Sequence, residues 1–113
     1  MTVERSEIID AIGIDAVTGA VHLSIIDPLP WDLKHLQLLQ EKINTYLGFI
    51  ESGEIYASYP EAKRRQLIVD VISRFRPDES AMQFLVRANE IVETYGASLL
   101  LRHSGKGYDG DMS

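Results

Sequence analysis

The stretch Leu67-Ile68-Val69-Asp70-Val71-Ile72-Ser73-Arg74-Phe75 constrains the fold more than any other part of the chain. Leu67, Val69 and Val71 alternate with Ile68, Asp70, Ile72 and Arg74, a β-branched pattern of period two that predicts a strand ending near Phe75, where Pro77 breaks it. Because Ile68 and Ile72 fall on the second register, opposite Leu67, Val69 and Val71, this strand brings apolar side chains to both surfaces of whatever sheet contains it. A small sheet therefore needs a cover on each side.

The other elements follow from similar patterns. Ile8 to Ile14 and Ala20 to Ile26 are β-rich runs around Asp15-Ala16-Val17-Thr18-Gly19, a hairpin signal in which Gly19 supplies the positive φ that closes the turn. Asp27-Pro28-Leu29-Pro30 ends the second run. From about Trp31 to Glu51, Leu36, Leu39, Ile43, Tyr46, Leu47 and Ile50 recur every three or four residues, predicting a long amphipathic helix with Asp32 at its positive end and Gly53 as its stop. Lys34, Gln37, Gln40, Glu41, Lys42 and Asn44 are assigned to its solvent face. Glu54 to Arg65 reads as a loop with at most one helical turn after Pro60. Asp78 is an N-cap for a second helix whose stripe is Ala81, Phe84, Leu85, Ala88, Ile91, Val92 and Tyr95, and Ala97 to His103 is a last strand.

The order β-β-α-β-α-β implies an α+β fold, a two-layer sandwich with a four-stranded mixed sheet and two helices on one face. Residues 1–103 make one domain, and the glycine-rich segment 104–113 is expected to be a disordered tail. The absence of cysteine excludes thiolate nucleophiles, Cys-type zinc sites and iron–sulfur clusters, and fits a reducing compartment. Eleven Lys and Arg against seventeen Asp and Glu leave a net charge of −6. That sign argues against a nucleic-acid partner. No apolar run approaches the roughly 20 residues that span a bilayer, and no signal peptide opens the chain, so the expectation is a cytoplasmic protein without membrane attachment.

The stretch Thr18-Gly19-Ala20-Val21-His22-Leu23-Ser24-Ile25-Ile26-Asp27 with Trp31, and His35 to Leu47 continuing through Phe49-Ile50-Glu51-Ser52-Gly53-Glu54-Ile55-Tyr56, resembles a family of small bacterial proteins of unknown function. The resemblance covers most of residues 6 to 102. It implies a bacterial source and a single domain, and brings no activity, ligand or catalytic residue with it.

The residues that could carry chemistry are few. Asp27, Trp31, Asp32 and His35 gather at the turn into the first helix, where Asp32 and His35 share a face. Two carboxylates and an imidazole there would suit a small-molecule or metal-dependent activity. The plainer account is structural: Asp32 charges the helix start, Asp27 shapes the turn, Trp31 covers the core's end and His35 faces solvent. His22 and His103 have no partner identifiable from spacing. Ser24, Ser73 and Ser98 lack a nucleophile elbow, and Gly105-Lys106-Gly107 lacks the frame of a P-loop. Lys63-Arg64-Arg65, with Arg74, Arg76 and Arg102, is a basic cluster better read as a solvated loop. No catalytic residue, metal ligand or cofactor is assigned.

With Val21, Leu23, Ile25, Leu67, Val69, Val71, Leu99 and Leu101 facing the helices, Ile26, Ile68, Ile72 and Leu100, together with Ile9, emerge on the other surface beside His22, Ser24, Asp70 and Arg74. Such a mixture suits an isologous dimer contact or a protein partner. The sequence thus points to a non-enzymatic protein acting by contact, as a homodimer or as an accessory or immunity-type partner.

Overall fold

The structure, a computed structural model, describes residue 3, residue 5 and residues 8–103. The segment expected to be a tail, 104–113, lies outside the described residues. The elements are β1 (Ala11–Ile14), β2 (Val21–Asp27), α1 (Leu33–Glu51), α2 (Glu54–Ser58), a 3-10 turn (Pro60–Ala62), β3 (Leu67–Ser73), α3 (Glu79–Thr94) and β4 (Ala97–His103).

The sheet order is β1-β2-β3-β4, with β1 antiparallel to β2 and the last three strands mutually parallel. Each parallel step moves one position in the same direction. Right-handed crossovers therefore place α1 and α3 on the same face, which is the α+β sandwich expected. Val21, Leu23, Ile25, Leu67, Val69 and Val71 lie beneath Leu39, Ile43, Tyr46 and Leu47 of α1 and Leu85, Ala88 and Val92 of α3. Each of the valines, leucines and isoleucines among them contributes about 1.5–3 kcal/mol through burial. The hairpin closes at Gly19 with φ 78, and Gly53 stops α1 with φ 81. Asp32 and Asp78 cap the two long helices through the amides of His35 and Ala81.

Several expectations require correction. The connection after Gly53 is largely helical: α2 forms there and buries Ile55, and the 3-10 turn buries Ala62. β1 begins at Ala11 and not at Ile8, because the preceding backbone and the Asp10 carboxylate serve another partner. That partner is Lys42, which is fully buried in α1 and not solvated. Its ammonium donates to the carbonyls of Arg5 and Ile8 and to Asp10 Oδ1 at 2.7, 2.5 and 2.7 Å. Ile9 packs against the core and does not join the outer sheet face.

Candidate functional site

Two polar assemblies stand out, one at the end of the parallel strands and one on the bare face of the sheet. In open α/β sheets the carboxyl ends of parallel strands form the usual ligand crevice. Here that end is filled. Asp27 closes β2, and its Oδ2 lies 2.5 Å from His35 Nε2, both residues being buried. His35 Nδ1 lies 2.9 Å from the Pro30 carbonyl. A carbonyl only accepts, so Nδ1 carries a hydrogen, and a single further proton is held between Nε2 and the carboxylate. Trp31 stacks on the imidazole at 4.1 Å and 21°, and its indole N–H donates to the Phe75 carbonyl at 2.9 Å.

The structure thus brings Asp27, Trp31, Asp32 and His35 together as the spacing suggested, but it buries His35, which was expected to face solvent. Its ring nitrogens and both Asp27 oxygens are engaged internally, Asp27 Oδ1 accepting from Leu29 N. The depression between the starts of α1 and α3 is flanked by the capping carboxylates of Asp32 and Asp78. Those carboxylates already occupy helix-start amides, so the place does not attract an anion.

On the face away from the helices, strand register lays the side chains out as a grid. Gly13, His22, Ile68 and Ser98 form one row; Ala11, Ser24, Asp70 and Leu100 form the next; Ile26, Ile72 and Arg102 form the third. Asp70 is central and only 1% exposed. Its Oδ2 lies 2.6 Å from His22 Nδ1 on one diagonal and 3.4 Å from an Arg102 guanidinium nitrogen on the other. Its Oδ1 is buried without a hydrogen-bond partner. His22 Nε2 looks toward Asp15 Oδ2 at 3.8 Å. Asp15 Oδ1 accepts from the amides of Val17 and Thr18, and these bonds, the Val17 bond first, hold the carboxyl below its ordinary range. A hollow of about 390 Å³ lies over this corner, floored by Ala11, Gly13 and Ser24.

Ile26 and Leu100 are 37% and 44% exposed on the same face, with Ile68 and Ile72 half-buried. No spacing rule could pair His22 with Asp70, 48 residues apart; the parallel β2–β3 register makes the contact. The basic residues do not gather into one patch, since Arg65 donates to the Glu61 and Gly19 carbonyls while Arg102 sits on Asp70. Ser24 and Ser98 are half-buried on the open face, whereas Ser73 is buried on the helix side.

The model of a family of unknown function, DUF6572, matches residues 1–105. The chain belongs to that family. No curated protein and no solved structure matches it. Among the described residues, no helix is long and apolar enough to cross a membrane, and no group of three or more His, Cys, Asp or Glu within one chain is arranged to hold a metal ion.

Proposed function

We propose that the chain is a non-enzymatic contact domain that pairs with a second copy of itself through the open face of the sheet. The observation that carries this reading is the relief of that face. On one side of β2 lies the hollow over Ala11 and Gly13, where an added Cβ at Gly13 would meet nothing within 4 Å. On the β3 side Ile68 stands clear of the hollow, whereas Asp70 and Ile72 help to line it. A two-fold axis running along β2 lays Ile68 of each copy over Gly13 of the other, which shares its row across the sheet, the self-complementarity that an isologous contact requires. Charges of both signs, Asp15 and Asp70 with Arg102, lie on the face, so it does not repel a copy of itself locally despite the net charge of −6.

The four-stranded face measures about 14 by 23 Å. Its footprint is smaller than the roughly 800 Å² per partner of a standard interface. The dimer is accordingly weak and concentration-dependent. Sedimentation equilibrium carried into the high micromolar range should show the average mass rising from one chain toward two. Ile68→Asp and Ile72→Asp should hold it at one chain while the circular dichroism spectrum stays that of the parent. A parent that remains monomeric throughout, or folded variants that associate as well as the parent, would overturn the reading.

A further inference from the structure

The hollow over β1 and β2 carries an excess of negative charge. Asp70 lines it at 1% exposure, and Asp70 Oδ1 is buried with no hydrogen-bond partner among the described residues. Folded chains leave few such atoms, and an orphaned carboxylate oxygen beside a hollow calls for positive charge. Arg102 meets only the other oxygen, at 3.4 Å, with its own side chain 59% exposed. Asp15 adds a second carboxylate to the lining, so with a neutral imidazole at His22 two negative charges stand against one positive.

The same hollow presents two acceptors held from behind. His22 Nδ1 donates to Asp70 Oδ2 at 2.6 Å, so in the neutral ring Nε2 is left as an acceptor. Asp15 Oδ1 accepts from the amides of Val17 and Thr18, at 2.7 and 3.1 Å, and Oδ2 lies 3.8 Å from His22 Nε2. That separation suits a shared donor. One nitrogen about 2.9 Å from both atoms sees them about 80° apart, and the N–H bonds of an ammonium diverge by about 109°, so each hydrogen bond bends by only about 15° at the nitrogen. Beside these acceptors Ala11 and Gly13 make a smooth floor, where a Cβ added at Gly13 meets nothing within 4 Å. The volume of about 390 Å³ falls at the small end of the range that holds an organic ligand. No Trp, Tyr or Phe is among the described lining residues, so the place lacks the aromatic walls that hold a quaternary ammonium.

We propose that this hollow binds a small primary amine in its ammonium form, the nitrogen bridging His22 Nε2 and Asp15 Oδ2 and the carbon body lying over Ala11 and Gly13. The site needs one chain only and does not rest on the pairing reading. A bound amine takes the ground over Gly13 that Ile68 of a second copy would cover, so amine and second copy exclude each other.

The test is calorimetry of the full chain with 2-phenylethylamine as the probe, beside 2-phenylethanol and trimethyl(2-phenylethyl)ammonium. The expected result is one amine per chain, bound at least about tenfold more tightly than the alcohol, which has no charge, or the trimethyl compound, which has no N–H. Asp15→Asn keeps an acceptor for the turn amides and Gly13→Val grows into open space, so both should fold as the parent by circular dichroism while losing at least about tenfold in affinity for the amine. Asp70→Asn should weaken the amine and leave 2-phenylethanol unchanged. Failure of the amine to bind, equal binding of the alcohol or the trimethyl compound, or folded Asp15→Asn and Gly13→Val variants that bind as the parent does would each overturn the proposal. Sedimentation separates it from the pairing reading: a parent that pairs and binds no amine removes this site alone, and one that binds amine yet pairs to the same extent keeps this site and removes pairing through this face.

Discussion

Lys42 Nζ lies 2.7 Å from Asp10 Oδ1, with the two side chains 0% and 1% exposed. The ammonium also donates to two carbonyls of the segment before β1. The second oxygen of Asp10 accepts from Ile26 N at 2.9 Å, and its backbone amide donates to Tyr46 Oη at 2.8 Å. This pair fastens the residues just before β1 to α1 and to the end of β2. Its charges are costly to hide singly and tolerable together. Lys42→Met should destabilise the fold by about 3–5 kcal/mol, because it strands the Asp10 carboxylate. Urea denaturation of Lys42→Met, Asp10→Leu and the double variant should show the double costing less than the two singles combined.

The His35–Asp27 bond predicts a similar loss at the opposite end of the sheet. His35→Phe keeps a ring beneath Trp31 but leaves Asp27 buried against an apolar edge, and should also cost about 3–5 kcal/mol. Trp31 is the single tryptophan, so its emission reports the transition directly. The variant should associate as the parent does, since none of these atoms belongs to the open face.

Tyr46 predicts the behaviour in alkali. Its hydroxyl donates to the Ser24 carbonyl at 2.5 Å, and burial raises its pKa well above the ordinary 10.0. The phenol ionises in the unfolded chain near pH 10 but stays protonated in the fold. The stability linked to this group is therefore fully present below about pH 10 and declines as pH rises above it, toward the folded pKa. Thermal melts between about pH 9 and 11 should show this decline. Tyr46→Phe, less stable at neutral pH by about 1–3 kcal/mol because Ser24 O and Asp10 N lose a partner, should lack this group's share of the slope.

Asn89 guards the outer edge of the sheet. Its side-chain oxygen accepts from Leu99 N at 3.0 Å, using an amide that β4 does not pair with β3. Asn89→Ala should cost about 1 kcal/mol and raise the tendency to aggregate, since it bares an edge donor. Light scattering on heating would detect the change.

The sequence carried the elements because their periodicities are local. Leu67 to Ser73 alternates as a buried strand must, and the stripes of α1 and α3 mark the faces that reach the sheet. Lys42 escaped notice because helical spacing places it next to Ile43 at the border of the apolar stripe; only the carbonyls of Arg5 and Ile8 and the Asp10 carboxylate, distant in sequence, supply the acceptors that make its burial tolerable. His35 was misplaced for the same reason, its partner Asp27 lying across a turn containing two prolines. The Asp27, Trp31, Asp32 and His35 group was visible as a cluster because it is nearly contiguous. The His22, Asp70 and Arg102 diagonal was not visible, since it exists only once β2, β3 and β4 are in parallel register.

The order of strands across the sheet is also their order along the chain. During synthesis each new parallel strand can dock on the free edge left by the one before it, with its crossover helix already made, and no later segment must be threaded between two earlier ones. Nascent chains halted after β3 would then already hold the hairpin, α1 and three adjacent strands in their final neighbourhood, and arrival of α3 with β4 would only extend the row.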